Sequence, residues 1–421
     1  MESSKKKINN LYLKPSTSKE DDSFIGLKIH DNKILFCYPE SYHISDQEDV
    51  INLRKDIIAI LKTISISKSK SNDKENLSSS KSMENHFALM SYIWIINDYL
   101  NNGFYKSREK EYKINQKGKI NWKRTIDKLP IVSNKNFIYN EIVVETKSES
   151  TNILVEIHKY CIKKSIDYIG WLFNINSKEI ECGSFNKKKI RLFNYIIKME
   201  LKKTFNDHKK LLLEHMYKVI NGFGSNDGEK GIVYGVDTYS YIFEKMVDNV
   251  FGDVMDKGDF YPNANWYLKE NNYEKSKTYN MRPDTLIIDH KNMTAYILDS
   301  KYYRYGFTGN LKDLPETSSI QKQITYGDYI KNNQNELKIK KVRNVFILPY
   351  DKTKDKFKSS DNIQYIGYSK ATWNNSQEDH QKIQAYLIDL KYLINTWDNN
   401  NHKDDVVFLI SNIERNLAIN R

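Results

Sequence analysis

The sequence predicts an α/β fold with a mixed sheet, preceded by an N-terminal α+β region. Three observations predict it. From about residue 237 onward, helix-like and strand-like segments alternate, as they do where helices enclose a sheet. Within that half, Thr285-Leu286-Ile287-Ile288 and Ala295-Tyr296-Ile297-Leu298 flank the polar turn Asp289-His290-Lys291-Asn292, as paired strands do. Ahead of it, short strand-like runs are mixed with long stretches of apolar residues at helical spacing.

Residues 1–22 are polar and read as a disordered tail. Residues 24–42 hold two short strands around Asp31-Asn32-Lys33. Leu53, Ile57, Ile58, Ile60 and Leu61 are spaced for a helix over 51–64. Ser, Lys and Asn without periodicity fill 65–85, a flexible loop. An apolar helix over 86–100 stops at Asn101-Asn102-Gly103. Tyr112-Lys113-Ile114 and Lys119-Ile120-Asn121-Trp122 flank Gln116-Lys117-Gly118 as a hairpin, and 137–144 is another strand. Helices cover about 153–173 and 187–220. Gly222, Gly224, Gly228 and Gly231 then mark a boundary between an N-terminal domain, 23–220, and a second domain, 221–421.

Past the boundary come a helix over 237–255, a strand over 265–268, the strand pair 283–289 and 294–301, and a helix over 319–330. Strands over 342–348 and 363–368 follow, with helices over 380–397 and 406–418. There is no internal repeat.

A chain of 421 residues, 39% hydrophobic and 29% charged, fits a globular protein with a sizeable core. Its apolar runs fall short of the roughly 20 residues a membrane helix needs, and Met1 to Asn10 carries no signal-peptide pattern, so the expected location is the cytoplasm with no membrane partner. Cys37, Cys161 and Cys182 are odd in number and widely spaced, which reads as free thiols rather than disulfides or a zinc site. The net charge of +12 suits a polyanionic partner such as nucleic acid. Abundant Lys, Asn, Ile and Tyr with scarce Arg also fit a general compositional bias, so charge alone does not decide.

Arg282-Pro283-Asp284 and Asp299-Ser300-Lys301 carry the chemistry. Asp284 opens one strand and Asp299 closes the next, so an antiparallel pairing lays the two carboxylates side by side. Phosphodiester hydrolysis needs a divalent metal, and magnesium takes oxygen ligands from one or two carboxylates. Asp284, Asp299 and the Ser300 main-chain carbonyl are the candidate ligands. Strand alternation sets Lys301 on the face of Asp299, where an ammonium orients the attacking water and offsets developing charge. An ordinary cross-strand salt bridge is the plain alternative. Glu244 borders the apolar stripe Ile242, Phe243, Met246, Val247, Val250, Phe251 and Val254, and joins the candidates as a further catalytic carboxylate and ligand. Lys322, Gln323 and Tyr326 follow on one helix; Gln323 and Tyr326 share a face, in support of Lys301 or of a phosphate.

Glu244, Pro283-Asp284, Asp299-Ser300-Lys301 and Gln323 with Tyr326 fall in the order of the PD-(D/E)xK nuclease superfamily, which residues 234–348 resemble. Asp98-Tyr99-Leu100-x-x-Gly103, the run from Gly118 to Ile126, and Asp299-Ser300-Lys301-Tyr302-Tyr303 further resemble the LlaJI-type restriction endonucleases, relatives of the McrC nuclease subunit. That likeness covers residues 86–350 and leaves both ends unmatched. The resemblance implies a restriction-endonuclease-like fold and a magnesium-dependent endonuclease of double-stranded DNA, with Mn2+ able to substitute. It also implies a cognate DNA methyltransferase and an McrB-like AAA+ GTPase subunit as partners, and it leaves homodimerisation open. The run from Gly118 to Ile126 reads as a partner-contacting or DNA-contacting element, or as an ordinary hairpin with Trp122 in the core. Two other functions compete: a non-catalytic DNA-binding or assembly subunit activating a motor, and a repair nuclease without sequence preference.

Overall fold

The computed structural model describes residues 8, 10–17, 23–30, 33–69, 80–105, 110–115, 117–128, 130–133, 136–147, 149–175, 187–221, 231–254, 258–271, 275–357, 361–373, 378–399 and 401–419. The chain forms two compact units: residues 1–77 with 233–421, and residues 78–232. The sequence places a single boundary at 221. Instead, the first strands of the chain belong with its C-terminal half.

Strands β1 (Leu11–Ser16), β2 (Ile25–His30) and β3 (Lys33–Pro39) open the discontinuous unit. β2 and β3 form the expected antiparallel pair, with Ile29 opposite Ile34. β1 lies parallel to β3, so part of the segment expected to be disordered is a strand. Leu11 and Ile34 are both buried there, and burial rather than polarity decides the segment. Helix α1 (Val50–Ser69) buries Leu53, Ile57, Ile60 and Leu61 and leaves Ile58 exposed. Asp56 on its inner face accepts hydrogen bonds from the Tyr42 hydroxyl and the Ser45 amide.

The second unit begins with α2 (Ser80–Asn102). Helices therefore enter the expected loop 65–85 from both ends, while 70–79 lie outside the described residues. Next come β4 (Lys110–Ile114), β5 (Lys119–Ile120), α3 (Trp122–Ile126), β6 (Ile131–Ser133), β7 (Asn136–Ile138) and β8 (Val143–Lys147). The expected hairpin over 112–122 does not form. β4 and β5 flank β8 on its two sides, and Asn121 caps α3 by accepting from the Arg124 amide. Trp122 is 58% exposed, which removes it from any core. Three helices complete the unit: α4 (Glu149–Phe173), α5 (Lys187–Lys203) and α6 (Asp207–Asn221). The single helix expected over 187–220 is broken at 204–206, where Asn206 accepts from the Lys209 amide and starts α6 afresh.

β9 (Gly231–Val236) returns the chain to the first sheet, whose order is β1-β3-β2-β9. At their crossing a Cβ on Gly26 (φ +145°) would lie 2.1 Å from the Tyr234 carbonyl oxygen, so only glycine fits. Helix α7 (Ser240–Phe251) is shorter than the helix expected over 237–255. It buries Ile242, Phe243, Met246, Val247, Val250 and Phe251 of the stripe read from the sequence, while Val254 lies past its end and is half-buried. β10 (Asn263–Tyr267) and β11 (Lys275–Asn280) pair as a separate ribbon.

The main sheet follows: β12 (Thr285–Asp289), β13 (Thr294–Ser300), α8 (Tyr305–Thr308), α9 (Thr317–Asn332), α10 (Gln334–Leu337), β14 (Lys341–Tyr350), β15 (Ile363–Lys370) and β16 (Lys382–Asp389). Its order is β12-β13-β14-β16-β15, parallel at β13-β14 and β14-β16 and antiparallel at both edges. This is the mixed α/β architecture expected. The helix expected over 380–397 is corrected: its first half is β16, and only α11 (Leu390–Thr396) is helical, capped by Asp389. α12 (Lys403–Ile419) ends the described chain. α9 lies against β13, β14 and β16, and α7 against β12 and β13. Ala295 and Ile297 pack on Tyr326 and Ile330 of α9. Cys37 and Cys161 are buried free thiols. No helix among the described residues is long and apolar enough to cross a membrane.

Candidate active site

The register of β12 on β13 builds the site. Thr285 faces Leu298, so one step further sets Asp284 opposite Asp299. Alternation gives Asp299 the same face as Ala295 and Ile297, and Asp284 the same face as Leu286 and Ile288. Those four apolar residues form one cluster with α9, so both carboxylates emerge at its border. The Ser300 amide donates to Asp284 Oδ2 at 2.8 Å and ties the two strand ends together. β12 is an edge strand, and its outer Ile288 amide is occupied by the Asp253 carboxylate at 3.0 Å.

Asp299 is 1% exposed. Lys301 Nζ lies 2.6 Å from its Oδ2 as a close ion pair, while Oδ1 has no hydrogen-bond partner among the described residues. Burial opposes charge on Lys301, but Asp299 and then Asp284 outweigh it and hold the ammonium's pKa above its ordinary value. Burial, then Asp299, then Glu244 push the Asp284 pKa well up; the Ser300 amide and Lys301 only partly oppose them. Burial also raises the Glu244 carboxyl, with Lys301 and Lys322 pulling it down and Asp299 pushing it up. Glu244, Asp284, Asp299 and Lys301 thus share one electrostatic neighbourhood. Asp284 and Asp299 share the Lys301 ammonium while Lys322 and Lys245 also act on Glu244, and the facing pair of acids keeps negative charge that suits a divalent cation.

Gln323 is fully buried on α9, and its side-chain amide donates to the Ile297 carbonyl at 2.7 Å, two residues before Asp299. Gly327 lets α9 come this close: a Cβ there would lie 2.7 Å from Asn344 Nδ2. The Tyr326 hydroxyl donates to the Arg282 carbonyl at 2.6 Å and pins the segment leading into Asp284. Lys322 Nζ is 5.6 Å from the Tyr326 ring centre. Behind Lys301, Tyr302 packs on Tyr239 and Phe243.

An open cleft of about 700 Å3 adjoins Asp284, lined among others by Glu244, Lys245, Tyr261, Arg282 and Pro283. Arg282 carries no role of its own in the sequence reading, and Tyr261 does not appear in it. Arg282 stands beside the Pro283-Asp284 word and was legible; Tyr261 reaches the cleft only through the fold.

Residues 24–371 match the family described as LlaJI restriction endonuclease. The chain belongs to the LlaJI restriction endonuclease family. The match extends beyond 86–350 and takes in β2, β3 and α1 as well as the site. The "Type II restriction enzyme BsuMI component YdjA" of Bacillus subtilis (strain 168) is 22% identical over 276 residues, 62% of this chain. The chain spans 58% of the length of that relative. A solved half-complex of Thermococcus gammatolerans McrB AAA+ hexamers with bound McrC contains a chain that aligns at TM-score 0.41 and 12% identity. That alignment covers 92% of this LlaJI-family chain and 83% of the other.

Proposed function

We propose that this chain is the nuclease subunit of a restriction system and hydrolyses phosphodiester bonds of double-stranded DNA by a magnesium-dependent PD-(D/E)xK mechanism. One observation carries the reading: Asp299, buried and ion-paired with Lys301 through one oxygen, faces Asp284 at the end of the next strand. Lys301 balances one carboxylate, and the charge of the facing acid is left for a bound cation to offset. Asp284, Asp299 and the Ser300 main-chain carbonyl would hold Mg2+, with Glu244 beside them and Mn2+ as a substitute. Among the described residues no group of three or more His, Cys, Asp or Glu is placed to hold a metal ion by itself. Magnesium fits that condition, since it keeps several waters and takes only one or two carboxylates.

The bound ion supplies charge neutralisation at the scissile phosphate and a more acidic water. The chain's own residues do the rest. Lys301 orients the attacking water and stabilises negative charge gathering on the phosphate oxygens. Gln323 and Tyr326 hold the β13 backbone and the Arg282 carbonyl, so the two acids keep their spacing. The LlaJI resemblance adds a cognate methyltransferase that protects host DNA and an McrB-like AAA+ GTPase that regulates the nuclease. This sequence carries no Gly-x-x-x-x-Gly-Lys-Ser/Thr loop, so nucleotide hydrolysis in such an assembly falls to the partner.

The test is cleavage of unmethylated duplex DNA with Mg2+, alone and with a co-purified GTPase. Asp284→Ala and Lys301→Ala should each abolish cutting in a folded protein. Asp284→Ala should not lower the thermal midpoint, whereas Lys301→Ala should lower it by leaving Asp299 without its ammonium. Undiminished cutting by both variants refutes the assignment.

A further inference from the structure

We infer that the ribbon β10–β11 enters a groove of double-stranded DNA and reads base edges with one amide-bearing face. This rests on the nuclease reading above and extends it to sequence selection. The ribbon is a sheet of its own, and every residue of β10 is exposed. Its register sets Asn263 opposite Asn280 and Asn265 opposite Thr278. Directly opposed residues share a face, as do residues two apart along a strand. Asn263, Asn265, Thr278 and Asn280 therefore form one uncharged polar face, and all four are exposed. The major groove of B-DNA admits a two-stranded ribbon, and asparagine pairs bidentately with adenine at N6 and N7.

The geometry favours such a use. The Thr278 hydroxyl donates to Asn265 Oδ1 at 2.8 Å, which fixes the amide while leaving a second lone pair and both N–H donors. Residues 263–282 carry Lys269, Lys275, Lys277 and Arg282 against Glu270 and Glu274, a net positive stretch suited to phosphates. Lys269 at the turn and Arg282 at the base are both exposed. The Met281 amide donates to the Pro262 carbonyl at 3.0 Å and closes the base of the ribbon. Three residues, Met281 to Pro283, then separate Asn280 from Asp284, a reach of at most about 14 Å over four residue steps. Tyr326 clamps the Arg282 carbonyl within that connection. Ribbon and cutting acid are thus linked stiffly, so the cut falls at a fixed offset from the bases read. Arg282 and Tyr261 line the cleft beside Asp284, where phosphates of the same duplex would run.

The experiment is a binding selection from short duplexes of randomised sequence, with Ca2+ replacing Mg2+ so that no strand is cut. The full-length chain and an Asn265→Ala/Asn280→Ala variant are compared, and their thermal midpoints confirm folding. The wild type should enrich a motif containing an A·T pair. The variant should lose the preference at that position by about tenfold or more, the worth of a bidentate contact. A wild type that enriches no motif, or a variant that enriches the same motif as strongly, overturns the inference. The second result would reassign exposed Trp266 and Tyr267 to a protein contact. Asp284→Asn, assayed for cutting in Mg2+, separates the two readings. If it still cuts, the nuclease assignment fails, whereas the motif comparison still judges the ribbon.

Discussion

Asp284 and Asp299 show at the scale of single residues how a site can oppose the stability of its own fold. Each is held near another carboxylate in a largely buried position, and Lys301 offsets them only in part. Asp284→Asn removes one of the facing charges, so in the absence of divalent ions it should raise the thermal midpoint at pH 8 by about 2 °C or more. Mg2+ should then stabilise the wild type and leave Asp284→Asn unmoved, as read by thermal unfolding with and without the ion. A variant stabilised by Mg2+ as much as the wild type would count against Asp284 as a ligand. Tyr326→Phe removes only the hydrogen bond to the Arg282 carbonyl, worth about 1 kcal/mol. It should slow cleavage up to about tenfold with little change in Mg2+ affinity, the mark of a positioning group.

At the scale of elements, α9 decides how accurately the site is held. Gly327 faces Asn344 and His380 so closely that a side chain has no room. Gly327→Val should cost about 1–3 kcal/mol by overpacking, and should reduce cleavage because Gln323 is lifted from the Ile297 carbonyl. Denaturant midpoints and cleavage rates measured together would show both losses. β16 shows why elements were misread. Its residues Ile383, Gln384, Tyr386 and Leu387 are buried between β14 and β15, and a run buried on both faces has no alternation to reveal it. The supposed hairpin over 112–122 failed for a related reason: two short strands close in sequence found their common partner, β8, further along the chain.

At the scale of the whole molecule, the unit of residues 78–232 carries a pH dependence of its own. His158 is fully buried, and its Nδ1 accepts from the Tyr105 amide at 2.8 Å. Burial lowers its pKa to about 4, against a small upward pull from Asp98. His215 is lowered to about 4 as well, by burial and then Lys218, with Asp98 opposing. Both folded values lie below the ordinary 6.5, so the unfolded chain binds more protons as pH falls from there to about 4. Stability should therefore be full above pH 6.5 and decline through that window, by on the order of 2–3 kcal/mol for His158. Urea midpoints measured across pH should show the slope, and His158→Gln should flatten it. A slope unchanged by the substitution would exclude His158 as its source.

The sequence by itself determined the β12–β13 pair, the two acids and lysine at its end, the apolar stripe of α7, and the α/β class. Each depends on periodicity or on residues close along the chain, where covalent geometry transmits the information directly. Only the tertiary structure decided that β1, β2 and β3 belong with the C-terminal half, that 382–389 is a strand, and that Gln323 and Tyr326 brace backbone carbonyls. Those outcomes depend on which distant surfaces bury one another, and local propensity is too weak to settle that competition.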